Sequence, residues 1–219
     1  MREALVLVGA SGAGKTTVAQ AIIENGSKFL MVRSVTTRAP RGDSHDGEYI
    51  YKTRDEFLKM VQDSELLEYM EYGDNLYGTP KSEVDRIFST GKIPLFILDL
   101  EGVKSLRSKD IDFKPIVVYI WSDLDEVESR LYSRDLKVIT AEKLVAVKKR
   151  TEMNVRDYLE MPKLFPLFDA FAENIQISKT AQDVTDLFFS FSRGRAADFE
   201  SNRLTAEWLF QIAKQKKPK

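Results

Sequence analysis

The chain contains no cysteine, so disulfide staples and thiolate metal sites are both closed to it. Its single histidine, His45, sits in a polar stretch where a surface role is expected rather than catalysis. No apolar run approaches the roughly 20 residues that cross a bilayer, which argues against a membrane partner. Neither charge is in surplus. Against 33 Lys and Arg stand 34 Asp and Glu, a balance that gives nucleic acid no electrostatic foothold. Met1-Arg2-Glu3 leads directly into an apolar segment, so no signal or transit peptide is expected, and a cytoplasmic protein is. Internal repeats and low-complexity tracts are also missing.

What is present suffices for a substantial core: 219 residues, 43% of them hydrophobic, suit one α/β domain with insertions better than two independent domains. Apolar runs predict strands at Ala4–Val8, Phe29–Val32, Leu95–Leu98, Ile116–Trp121 and Asn174–Ile177. Amphipathic spacing predicts helices at Thr16–Glu24, Arg54–Asp63, Lys81–Thr90, Leu124–Ser133, Ala141–Glu160 and Ala181–Ser190. Such alternation points to a parallel sheet flanked by helices. Two segments interrupt it. Residues 34–90, rich in Thr, Tyr, Gly and charge, read as an inserted α+β subdomain, and the basic residues 134–157 as a helical lid. Residues 1–33, 91–133 and 158–192 then form the core, and 193–219 a C-terminal helical extension. In that extension Leu204, Trp208, Leu209 and Ile212 share one predicted helix face.

The most specific signal is Gly9-Ala10-Ser11-Gly12-Ala13-Gly14-Lys15-Thr16, which fits G-x-x-x-x-G-K-[ST] between a predicted strand and helix. Glycines let such a loop turn its N–H groups toward an anion, and the helix N-terminus adds partial positive charge at the same place. Lys15 is expected to reach the β- and γ-phosphates of a nucleoside triphosphate, with the Thr16 hydroxyl on Mg²⁺ and Thr17 following in the same turn.

A second ligand is read further along. In Ser34-Val-Thr-Thr-Arg38-Ala-Pro-Arg41 two arginines three apart, with Pro40 between them, make a fork for a phosphate, and the phenols of Tyr49 and Tyr77 suit the same anion. Glu68 follows in Glu65-Leu-Leu-Glu68, and Thr79 in Tyr77-Gly78-Thr79-Pro80. Asp99 and Glu101 stand at the C-terminal end of a predicted strand, where open α/β sheets bind their ligands; the lesser alternative for Asp99 is to cap the next helix.

Together, in this order, these motifs resemble the guanylate kinase family. The likeness runs through Asp55–Phe57, Leu66–Glu68, Tyr77–Thr79, Leu98–Leu106 and Arg130-Leu-Tyr-Ser-Arg134, covering roughly residues 3 to 190. It implies a P-loop-type fold that moves a phosphoryl group from ATP to GMP with Mg²⁺, with dGMP as a second acceptor. By resemblance, Arg38, Arg41, Tyr49 and Tyr77 clamp the GMP phosphate, while Ser34, Glu68, Thr79 and Asp99 read guanine. Arg130 belongs to the ATP site, and Arg134 acts on the transferring group from the lid. Of Lys148, Lys149 and Arg150, the resemblance favours Arg150 as a second transfer arginine. Departures occur at Gly42-Asp43-Ser44 and at Glu101, where the family carries x-Gly-Glu and Gln. The alternatives are a catalytically inactive interaction module of the same fold and a kinase for a different acceptor base; a monomer or a homodimer fits the sequence equally.

Overall fold

In the computed structural model the described residues are 2–26, 28–40, 47, 49–72, 74–135 and 140–216; the side chains of residues 72, 134 and 135 lie outside them. The chain divides into two compact units, Met1–Val6 with Ile22–Pro115, and Leu7–Ala21 with Ile116–Lys219. The architecture is α/β, with parallel strands and flanking helices.

The first unit holds most of β1 (Arg2–Val8), then β2 (Phe29–Met31) and β7 (Ile93–Ile97), in the order β2-β7-β1. β2 and β7 run parallel, Phe29 opposite Ile93. Between them are inserted β3 (Ser34–Thr36), β4 (Tyr49–Tyr51), α2 (Arg54–Gln62), β5 (Leu66–Tyr72), β6 (Asn75–Pro80) and α3 (Lys81–Ser89). These strands form a separate four-stranded sheet in the order β4-β3-β6-β5, partly antiparallel, as the Thr- and Tyr-rich composition predicts. Val35, Phe57, Leu66 and Leu76 make its apolar core, with Ile50, Met60 and Val61 packed against it. α2 starts cleanly because Thr53 and Glu56 form a reciprocal capping box. On α3, burial pushes the pKa of Glu83 up, but the guanidinium groups of Arg86 and Arg33 outweigh it and hold the carboxyl at about 2. After β7, Asp99 caps α4 (Leu100–Ser108), a helix that periodicity did not reveal.

The second unit holds the end of β1, the glycine loop and most of α1 (Lys15–Glu24). It continues with most of β8 (Phe113–Trp121), then α5 (Leu124–Asp135), α6 (Ala141–Leu164), β9 (Ala170–Glu173), α7 (Ile177–Ser192) and α8 (Phe199–Lys216). β8 and β9 run parallel, Tyr119 opposite Phe171. The strand expected at Asn174–Ile177 is therefore displaced. The Asn174 N–H donates to the Trp121 carbonyl at 2.7 Å where the pairing ends, and α7 begins at Ile177. Ile175 and Ile177 supply the alternation that suggests a strand, yet they are 76% and 42% exposed.

α8 also differs from expectation. Its buried side is Asn202, Ala206, Leu209 and Ala213, whereas Leu204 and Trp208 are exposed. Small alanines let α8 lie close along α6, and the Asn202 amide donates to the Asp169 carbonyl at 3.1 Å. Trp208 instead lays its ring edge-to-face on Trp121, with centroids 4.8 Å apart.

Candidate functional site

The loop after β1 turns as its glycines require. Gly9, Gly12 and Gly14 all have positive φ, and a Cβ on Gly9 would fall 2.0 Å from the Ile120 carbonyl oxygen. At Gly14 a Cβ would meet the Asn174 amide nitrogen at 2.3 Å. A side chain at Gly9 would have to move the backbone of β8, and one at Gly14 would have to push aside the Asn174 side chain. The Lys15 ammonium bridges the loop, donating to the Gly9 carbonyl at 2.7 Å and the Ala10 carbonyl at 3.0 Å. Lys15, Thr16 and Thr17 form the first turn of α1, so the N–H groups of a helix start face the region that the lysine serves.

Two asparagines that the sequence reading overlooked hold this loop from behind. Asn154 on α6, 2% exposed, accepts from the Ser11 N–H and donates to the Ser11 carbonyl, both at 2.8 Å. Asn174, 3% exposed, donates to the Ala13 carbonyl at 2.8 Å, while its buried Oδ1 has no hydrogen-bond partner among the described residues. Arg130 on α5 is tied to the same group: it donates to Ser122 Oγ at 3.1 Å, to the Asn174 carbonyl at 3.4 Å and to Glu126 at 2.8 Å. Tyr158 anchors α6 by donating to the Ser122 carbonyl at 2.9 Å. Arg150 is half-buried and lies one helical turn before Asn154, on the same side of α6. The Arg134 side chain lies outside the described residues. An asparagine inside a helix is out of place by propensity, and that is the one sequence signal that marks Asn154.

In the first unit, Arg38 places its guanidinium carbon 5.0 Å from the centre of the Tyr49 ring, and Tyr49 meets Tyr77 edge-to-face at 6.3 Å. Tyr51, which the motif reading passed over, joins the group: its hydroxyl accepts from Arg38 at 3.5 Å, and its ring is 6.3 Å from Tyr49. Arg38 and both expected tyrosines are thus brought together. Arg41 lies outside the described residues.

Glu68 is a 5% exposed carboxylate on β5, opposite Thr79 on β6. Thr79 donates to it at 2.6 Å. Burial pushes the pKa of Glu68 up and the nearby Asp99 adds to the rise; the hydrogen bond from Thr79 and the charge of Lys109 pull it partly back. A Cβ on Gly102 would stand 3.6 Å from one Glu68 oxygen and 3.2 Å from an oxygen of Asp99, which sets both carboxylates at the N-terminus of α4. Asp99 does cap that helix, accepting from the Gly102 N–H at 2.7 Å. The pairing of Val35 with Gly78 carries Ser34 to the level of Thr79, which faces Glu68, so these three lie side by side across β3, β6 and β5, while Asp99 approaches Glu68 from the start of α4. Among the described residues, no group of three or more His, Cys, Asp or Glu side chains gathers to hold a metal ion, and no helix is long and apolar enough to cross a membrane.

A guanylate kinase family model matches residues 1–191 of this chain, a span that takes in both groups of residues. The chain is similar to the guanylate kinase of Bacillus subtilis (strain 168), 36% identical over 163 residues, covering 71% of this chain and 78% of that one. It is likewise similar to that of Enterococcus faecalis, 34% identical over 171 residues, covering 74% and 82%. Among solved structures, guanylate kinase from Anaplasma phagocytophilum shares the fold, with a TM-score of 0.63 at 22% identity over 87% of this chain and 86% of that one. A match of this extent, taking in both the glycine loop and the carboxylates of Glu68 and Asp99, decides the matter: the chain belongs to the guanylate kinase family.

Proposed function

We propose that this member of the guanylate kinase family transfers the γ-phosphoryl group of ATP to GMP, and to dGMP, giving ADP and the nucleoside diphosphate. The buried Glu68 with its Thr79 partner carries the choice of acceptor. Guanine presents N1–H and N2–H donors beside the O6 acceptor, and an ionised carboxylate takes both donors. Adenine offers an acceptor at N1, which would face that carboxylate unpaired. The Thr79 proton is engaged by Glu68, so in this reading Thr79 orients the carboxylate and Ser34 donates to O6. Arg38 and Arg41, with Tyr49 and Tyr77, hold the acceptor phosphate, and Tyr51 keeps Arg38 in place.

In-line attack of the GMP phosphate oxygen on the γ-phosphorus needs no side-chain nucleophile; catalysis is positioning and charge neutralisation. Lys15 and the loop N–H groups hold the β- and γ-phosphates, and Arg130 borders the ATP site. Arg134 and Arg150 neutralise the equatorial oxygens of the group in transfer. One turn of helix joins Arg150 to Asn154, which clasps the glycine loop, and this supports Arg150 over Lys148 and Lys149. The Thr16 hydroxyl suits Mg²⁺, which accepts a single protein oxygen when phosphates and water complete its shell and which offsets phosphate charge when bound.

The direct test is ADP release from ATP with GMP, dGMP or AMP offered as acceptor. Turnover with GMP well above that with AMP is expected, and no GMP-dependent turnover would overturn the reading. The clasp on Ser11 adds a second expectation. Asn154→Ala removes two part-buried hydrogen bonds from the loop and should raise KM for ATP by about 10-fold, the scale of one or two such bonds, while KM for GMP stays put. Unchanged ATP kinetics would show that the loop holds its shape without Asn154.

A further inference from the structure

Pairing between β5 and β6 slips by one residue between Leu66 and Glu68: Leu66 faces Pro80, and Glu68 already faces Thr79. Leu67 is thus an extra residue, a β-bulge, and bulges beside sites re-aim the side chains that follow them. Without this bulge, strand alternation would turn Glu68 away from its present side. An extra residue leaves the ladder's hydrogen-bond pattern locally broken, so its backbone groups need partners from elsewhere. Here the partner is an ammonium. Lys109, the residue that ends α4, donates to the Leu67 carbonyl.

We propose that Lys109 is a positioning residue for the acceptor base, its ammonium holding the Leu67 bulge in the form that presents Glu68. The proposal rests on the reading of Glu68 as the guanine-binding carboxylate. α4 packs along β5 and meets this bulge through both its ends, Asp99 and Gly102 near Glu68 and Lys109 on Leu67. Among the described residues, the charged groups that act on Glu68 are Asp99 and Lys109, and from β6 it meets the Thr79 hydroxyl. Asp99 works against ionisation of Glu68 and Lys109 works for it, so losing the lysine leaves the opposing carboxylate unbalanced.

The experiment compares Lys109→Met, which keeps an apolar stem without the charge, with Lys109→Arg, which restores a cation. Steady-state kinetics are followed against pH, with Glu68→Gln as a reference. For Lys109→Met, KM for GMP should rise about 3- to 10-fold, as for a charge-assisted hydrogen bond partly replaced by water. kcat and KM for ATP should stay near wild type, and the acid limb of kcat/KM for GMP should move to higher pH. Lys109→Arg should recover most of both changes. A merely structural lysine would move neither the acid limb nor GMP selectively. If Glu68→Gln impairs GMP use but Lys109→Met matches wild type in KM and acid limb, the role of Lys109 is wrong and the reading of Glu68 stands. If Glu68→Gln itself matches wild type, that reading falls and the proposal falls with it.

Discussion

Lys15→Ala should lower turnover by at least 10²-fold in a protein that still folds, the scale of removing one preorganised charge from a transition state. The lysine is held ready: its ammonium already donates to the Gly9 and Ala10 carbonyls, so little reorganisation is needed to face an incoming phosphate. Gly9 is half-buried, so its carbonyl can turn to water when the side chain is gone, and the buried Ala10 carbonyl keeps a partner in the Ala13 N–H at 3.1 Å. The shape of the loop does not depend on Lys15, since Asn154 and Asn174 fasten Ser11 and Ala13 separately. Fold and function should therefore separate cleanly in this variant. Melting temperature and circular dichroism check the fold, and single-turnover kinetics with ATP and GMP check the chemistry. Near-normal turnover from a folded Lys15→Ala protein would remove Lys15 from the transferring phosphate.

The parts of the site that were legible in the sequence are those whose chemistry needs a fixed local pattern. The glycine loop requires glycines at set offsets before Lys15 and Thr16, and Gly9 and Gly14 show why: a methyl group at either would strike a carbonyl or an amide. Ser34, Arg38, Glu68 and Thr79, which we propose for the acceptor, each stand within a short motif in the same way. What stayed hidden is held together by long-range contacts. Asn154 and Ser11 are 143 residues apart, and Asn174 and Ala13 161 apart, and no local pattern announces such a pair. Lys109 reads as an ordinary polar residue at a helix end until the bulge at Leu67 places a carbonyl before it. The misplaced strand has a comparable origin. Ile175 and Ile177 alternate like strand residues, but tertiary context leaves them outside while Ala170–Glu173, which has no β-branched residue, pairs with β8. In α8 the largest apolar side chains suggested the buried face, and Leu209 does lie on it, but Asn202, Ala206 and Ala213 make up the rest because close helix approach favours small residues, while Leu204 and Trp208 are exposed.

Glu68→Gln should raise KM for GMP by roughly 10- to 100-fold, the loss of one charge-assisted bond of about 1.5–3 kcal/mol. The amide is nearly isosteric, so the effect isolates charge and donor pattern. If its oxygen keeps the Thr79 hydroxyl at the 2.6 Å contact, its NH₂ group turns toward the N1–H and N2–H donors of guanine. Turned the other way, the amide displaces the Thr79 proton instead. Either arrangement leaves one polar group mismatched in a site where the native carboxylate is only 5% exposed. AMP should gain relative to GMP, since an amide N–H can meet adenine N1 where a carboxylate repels it. Stability should move the opposite way. The pKa of Glu68 is raised in the fold, above all by burial, so the native state binds its proton more tightly than the unfolded chain does. The stability linked to this group therefore falls as pH rises from the unfolded carboxyl pKa through the raised folded one. Glutamine carries no charge to bury, so at neutral pH the variant should melt no lower than wild type while binding GMP worse. The wild-type enzyme should itself approach the KM of the variant as pH drops below the raised pKa and Glu68 takes up its proton. The measurements are KM for GMP, AMP and ATP across pH with melting temperature alongside. An unchanged preference for GMP over AMP would place the reading of the base elsewhere.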